Sequence, residues 1–139
     1  MRRRISLAAV VGSILLLLLA QGLAQPNPDT LWTRTYGGGY GDYTSSVQQT
    51  VDGGYIVAGS GTRGCDFYLV KMNSQGDTLW ARCYGGLSDD NALSVQQTAD
   101  GGYIVAGYTN SFGAGRYDFY VVKTNSQGDT VWTRTYGGS

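Results

Sequence analysis

SVQQTVDGGYIVAG, residues 46–59, returns 48 residues later as SVQQTADGGYIVAG, residues 94–107, with one difference where Val51 gives way to Ala99. A fixed-period repeat sets architecture ahead of any single residue, because each unit must bury its apolar faces on a neighbour. Outward from this core, DTLWTRTYGG (29–38) recurs as DTLWARCYGG (77–86) and DTVWTRTYGG (129–138), and NSQGDT follows both Met72 and Thr124. Trp32, Trp80 and Trp132 are thus one position seen three times, at spacings of 48 and 52 residues. Those spacings fit blade-type β repeats and exceed most helical ones.

Each unit carries four short runs rich in β-branched and aromatic residues, divided by Gly, Asp and Asn clusters, the pattern of strands and turns. The runs 46–50, 55–59, 66–72 and 78–84 are expected as strands of the first unit, and 94–98, 103–108, 118–124 and 130–136 as strands of the second. Asp52-Gly53-Gly54 and Asp100-Gly101-Gly102 join the first two strands, with Asp-Gly able to take the positive φ of a hairpin turn. Gly76 and Gly128 stand where the Asn-Ser-Gln-Gly loops need a left-handed residue. No sustained 3.6-residue apolar period follows residue 24, so helix is not expected there. Runs such as YIVAG are apolar on both faces, as strands packed between two neighbouring sheets must be.

The expected fold is therefore all-β: two four-stranded antiparallel blades, 39–86 and 87–139, preceded by a lone strand within 25–38 and forming part of a larger propeller. Two blades and a spare strand cannot close a ring. Either further blades lie beyond Ser139, or several chains assemble, an arrangement that nine strands per chain suits poorly.

The N-terminus begins with Arg2, Arg3 and Arg4, continues with an apolar run to Ala20, and ends in Gly22-Leu23-Ala24. This is the plan of a cleaved signal peptide, residues 1–24, and the run is shorter than the about 20 apolar residues of a spanning helix. No stable membrane span is expected after cleavage. The remaining chain would hold seven basic and ten acidic residues, a net charge of −3, with no basic face for nucleic acid. The expected location is secreted or at the cell surface, or the periplasm.

Cys65 and Cys83 are the only cysteines, and their positions in the second unit hold Tyr117 and Thr135. Folding the hairpin at residues 73–76 brings Cys65 opposite Cys83 or within a residue or so of it. A cross-strand disulfide is therefore expected in an oxidising compartment, the alternative being two unpaired thiols.

The string W-x-R-x-Y-G-G, then S-V-Q-Q-T-x-D-G-G-Y-I-V-A-G, then D-F-Y-x-V-K-x-N-x-x-G resembles the β-propeller repeats of secreted bacterial and archaeal proteins. In these proteins the repeats often form long arrays before a C-terminal sorting domain. The resemblance covers nearly all of residues 25–139. It implies a propeller fold and export, and it supplies no catalytic residue. The chain departs from the pattern in having few units and no sorting module.

Chemistry is sparse. The sequence contains no His and no Glu, which excludes Ser-His-Asp and Cys-His nucleophiles and His-held zinc. The G-x-G-x-x-G spelled by residues 59–64 precedes another strand rather than a helix, so it lacks the helix N-terminus a pyrophosphate needs. Asp89 and Asp90 as a glycosidase pair fare worse than Asp89 and Asp90 in a solvated turn. Asp89, Asp90 and Asn91 offer oxygens to Ca²⁺, and Asp42 recurs at the Asp90 position, but no EF-hand spacing is present and hairpin geometry already accounts for the NSQGD loops. No cofactor is expected.

Binding is expected where the units differ. The four extra residues of the second unit fall between Gly107 and Asp118, and variable loops on a rigid scaffold are the usual home of function. In a propeller this connection shares a face with the link between blades. Tyr40, Asp42, Tyr43, Arg63, Asp89, Asp90, Asn91, Asn110, Phe112 and Arg116 are thus the expected binding face for a protein or glycan ligand. The alternative is an extracellular propeller enzyme, a hydrolase, lyase or oxidoreductase, with its catalytic residues in other blades or domains. Fold does not choose between the two.

Overall fold

The computed structural model describes residues 31–36, 41–61 and 65–138. The leader at 1–24, Tyr40 and Arg63 lie outside the described residues. Among those described there is no helix, and eight strands form two antiparallel sheets of four, both within the unit Trp32–Ser139. The first sheet is β1 (Tyr43–Gln49), β2 (Tyr55–Ser60), β3 (Phe67–Met72) and β4 (Thr78–Tyr84). The second is β5 (Asp90–Gln97), β6 (Tyr103–Thr109), β7 (Asp118–Thr124) and β8 (Thr130–Tyr136). In each, the strands pair in chain order.

The turns follow from the repeated Thr-x-Asp-Gly-Gly. Gly53 and Gly101 take φ of 79° and 81°, so the left-handed conformation falls on the first glycine and not on Asp-Gly together. The Gly53 N–H donates to the Thr50 carbonyl (2.9 Å), closing the turn. Gly54 is needed for space, since a Cβ there would overlap the Met72 carbonyl oxygen. Asp52 accepts hydrogen bonds from Thr50 Oγ1, the Gly54 N–H (3.0 Å) and Lys71 Nζ (2.8 Å). Asp100 does the same for Thr98, Gly102 and Lys123. Each lysine lies along the sheet with its ammonium clamped to the turn, which is how a strand this apolar tolerates one. Gly76 and Gly128, at φ of 80° and 81°, close the Asn-Ser-Gln-Gly loops.

Strands β1 and β5 begin earlier than residues 46 and 94. A register shift between Thr44 and Ser46, repeated between Ala92 and Ser94, leaves one residue bulged and lets pairing continue outward. The bulge breaks the alternation that marks a strand in sequence.

The sheets pack face to face. Ile56, Ala58, Phe67 and Leu69, with Trp80 and Tyr84 beside them, form the forward face of the first sheet and meet Val95, Tyr103, Val105, Tyr120 and Val122 on the rear face of the second. Phe67 stands edge-on to Tyr120 (ring centroids 5.2 Å apart) and Trp80 edge-on to Tyr103 (5.7 Å). The first strands are pinned together as well: the Gln97 N–H donates to Gln48 Oε1 (2.7 Å) and the Val51 N–H to Gln97 Oε1 (2.9 Å). That is a use for the repeated Val-Gln-Gln.

Of the lone strand expected within 25–38 the described residues are 31–36, and these join no β-ladder. In both complete units the corresponding strand is held by the third strand of its own sheet, whereas 31–36 pairs with no strand among the described residues. Side chains hold the segment instead. Trp32 stands edge-on to Tyr55 (5.8 Å), its indole N–H donates to the Ser74 carbonyl (3.2 Å), and the Tyr36 hydroxyl donates to the Gly76 carbonyl.

Cys65 and Cys83 are joined in a disulfide, with Cα atoms 5.2 Å apart. The register differs from the expected cross-strand pair: Cys83 lies opposite Tyr68 on β3. Cys65 sits before β3 begins, so the bond ties the β2–β3 connection to β4.

Candidate functional site

The β2–β3 connection, the β4–β5 connection and the β6–β7 connection meet at one end of the sheets. Between them opens a cleft of about 450 Å³ lined by Tyr43, Asp66, Asp89, Asn91, Tyr108 and Tyr117, with Gly41, Ser60, Gly61 and Asp90 completing its wall. Both sheets contribute. Tyr43 opens β1, and Tyr108 near the end of β6 stands edge-on to Tyr117 (5.3 Å).

Asp90 is the keystone of these loops rather than a free ligand. Its buried carboxylate accepts from Thr109 Oγ1, Ser111 Oγ (2.8 Å) and the Gly86 N–H (2.8 Å), gathering the inter-sheet link and the β6–β7 loop onto the first residue of β5. Ser111 Oγ accepts from the Ser88 N–H (3.0 Å), and the Asn110 N–H donates to the Asp89 carbonyl (2.9 Å). Asp118, also buried, accepts from the Ala114 N–H (2.8 Å) and orders the longer loop in the same way.

Asp66 holds the equivalent position in the first sheet but lines the cleft, where burial, and then the charges of Asp89 and Asp90, shift its carboxyl pKa upward. The cleft is therefore electronegative, suited to hydrogen-bond donors more than to anions. The Asn91 Oδ1 beside it is buried with no hydrogen-bond partner among the described residues. Among those residues no three His, Cys, Asp or Glu side chains are grouped to hold a metal.

Of the residues expected at the binding face, Tyr43, Asp89, Asp90 and Asn91 come together in this cleft. Phe112 does not. It packs on Tyr120 (5.4 Å) and lines a separate hollow with Thr133 and Thr135. Asp42 lines a smaller pocket with Arg34 and Tyr36, while Asn110 and Arg116 are exposed outside the cleft lining. Asp66, Tyr108 and Tyr117 were not expected there. Asp66 reads as the first residue of a strand, and the two tyrosines lie on either side of the inserted residues, which was the available signal.

Compared with protein-family models and with curated proteins, the chain matches no family model and no curated protein.

Proposed function

We propose that the chain is an exported, non-enzymatic β-propeller repeat scaffold that presents its connection face to a protein or glycan ligand outside the cell. The observation that carries this reading is the cleft between the two sheets, where the rings of Tyr43, Tyr108 and Tyr117 stand beside the carboxylates of Asp66 and Asp89 and the amide of Asn91. Aromatic faces with acceptor oxygens around them suit a sugar, which offers C–H surfaces to rings and hydroxyl donors to carboxylates. The lining thus favours a glycan over an apolar peptide.

The propeller reading draws support from the repeat period and from β5, which lies against β1, β2 and β3 of the preceding sheet. Export draws support from the leader-like N-terminus and from a disulfide that accords with an oxidising compartment.

The test is a glycan panel followed by calorimetry on the purified chain. A hit that weakens at least about ten-fold in Tyr117→Ala and in Asp89→Asn, with unchanged thermal melting, supports the reading. No hit, or a hit indifferent to both substitutions, overturns the glycan reading of this cleft.

A further inference from the structure

The contact between the sheets uses one set of side chains on one set of acceptors, and the chain displays it more than once. Trp80 stands against Tyr103, the Tyr84 hydroxyl donates to the Gly128 carbonyl (2.6 Å), and Arg82 pairs with Asp129 (3.9 Å). The segment 32–36 repeats this on the rear face of the first sheet, with Trp32 against Tyr55, Tyr36 on Gly76 and Arg34 paired with Asp77 (3.6 Å).

A third set lies open. Trp132, Arg134 and Tyr136 occupy the same positions on β8, all exposed, and Arg134 already stacks on Trp132 (5.7 Å), as Arg82 does on Trp80 (5.9 Å). Beside them Phe119, the counterpart of Phe67, borders an apolar groove with Tyr136.

The receiving surface is also on this chain and only partly filled. In the contact between the sheets, Phe67 fits against Tyr120 and Gly107, where a Cβ would stand 2.9 Å from its ring. The corresponding Tyr68 and Gly59 of the first sheet, with Val57 and Val70, line a pocket of about 150 Å³ whose other wall includes Arg34 and Tyr36 of the segment, and no aromatic ring among the described residues fills it as Phe67 fills its counterpart. The segment 32–36 supplies a Trp, an Arg and a Tyr but no Phe. Val47 beside it is 62% exposed, whereas its counterpart Val95 is 3% exposed.

We propose that the forward face of the second sheet docks on the rear face of the first sheet in another copy of this chain. Phe119 enters the pocket at Tyr68 and Gly59, Arg134 meets Asp77, and Trp132 and Tyr136 replace Trp32 and Tyr36. The contact is head-to-tail, so it repeats into a ring or a filament. The segment 32–36 competes in cis for the same acceptors and holds the assembly in check.

Sedimentation of the purified chain over a range of concentrations tests this. The chain should self-associate, Trp32→Ala should strengthen association, and Phe119→Asp should weaken it at least about ten-fold, the loss expected of a central aromatic anchor. Charge exchange gives specificity: Arg134→Asp and Asp77→Arg should each associate weakly alone and recover as a mixture, since only mixed contacts then pair opposite charges. A monomer at every concentration in both the unchanged chain and Trp32→Ala overturns the proposal. So does association indifferent to Phe119→Asp, or a charge-exchanged mixture no stronger than its components, which would mark the face as merely adhesive.

Discussion

Phe67 and Phe119 hold the same position in the two sheets, on strands of near-identical sequence, yet Phe67 is fully buried and Phe119 is 73% exposed. The difference is whether a following sheet covers the ring. Burial here is a property of the neighbour, not of the residue.

Phe67→Ala should accordingly cost about 3–5 kcal/mol, the range for emptying a packed aromatic site. Phe119→Ala should stay within about 0.5 kcal/mol in the monomer, as an exposed position does. Urea unfolding of the two variants at low protein concentration checks the contrast, and equal losses would contradict the packing described.

The Cys65–Cys83 disulfide spans 18 residues. Closing a loop of that size in the unfolded chain corresponds to about 3 kcal/mol of stabilisation. Replacing both cysteines by serine should lower stability by roughly that amount, read as a fall in the urea midpoint together with a steeper slope, because the uncrosslinked unfolded chain exposes more surface.

Stability should fall in acid. The ammonium of Lys71 and the hydroxyl of Thr50, with the Gly54 N–H, hold the Asp52 carboxyl well below the usual carboxylate range, and Thr98, Lys123 and Gly102 do so for Asp100. A depressed folded pKa gives stability that is complete above the ordinary aspartate value of about 4 and is lost progressively as pH falls below it. Asp52→Asn should flatten this limb. Asp52 is 55% exposed while Lys71 is buried, so water screening limits the cost at neutral pH to about 1 kcal/mol. Thermal melts from neutral pH into acid measure both.

In alkali the most strongly shifted group is Tyr84. Burial pushes its phenol up to about 12, against the opposing pull of Arg82. The unfolded chain loses that proton first, so the stability this group confers is intact below about pH 10 and is lost towards pH 12. Tyr84→Phe should reduce this dependence and cost about 1 kcal/mol for the bond to Gly128, leaving the part carried by Tyr103 and Tyr120, which burial also raises.

The two glycines of the first turn should separate conformation from space. Gly53→Ala meets no atom within 4 Å and suffers only from its φ of 79°, a cost of about 1 kcal/mol. Gly54→Ala drives a methyl into the Met72 carbonyl and towards Lys71, which should cost about 2–3 kcal/mol. Chemical denaturation that ranked them the other way would contradict the turn geometry.

Much of the architecture was legible because the sequence states it twice: a strand, turn or glycine that recurs at the same offset is set by the unit and not by chance. Gly76 and Gly128 could be placed that way. What repetition hides is context. Phe67 and Phe119 look equivalent, and so do Trp80 and Trp132, because a sequence does not record which face lacks a neighbour. Asp89 and Asp90 are adjacent letters and both line the cleft, but only the Asp90 carboxylate is taken up by three hydrogen bonds from the loops around it. Cys65 fell short of its cross-strand place because β3 starts only at Phe67, and Phe112 left the expected surface because Tyr120 offered it an aromatic partner.

The bond between the Tyr84 hydroxyl and Gly128 spans 44 residues of chain, and this separation orders events in time. As the polypeptide emerges N-terminus first, the initial hairpins are complete while the surface around Phe67 still faces solvent, and they stay so until the second NSQGD loop has been made. Over that interval the nascent chain is at its most adhesive. Rapid delivery of the later half, or a chaperone held over the exposed rings, then decides yield more directly than the stability of the finished protein.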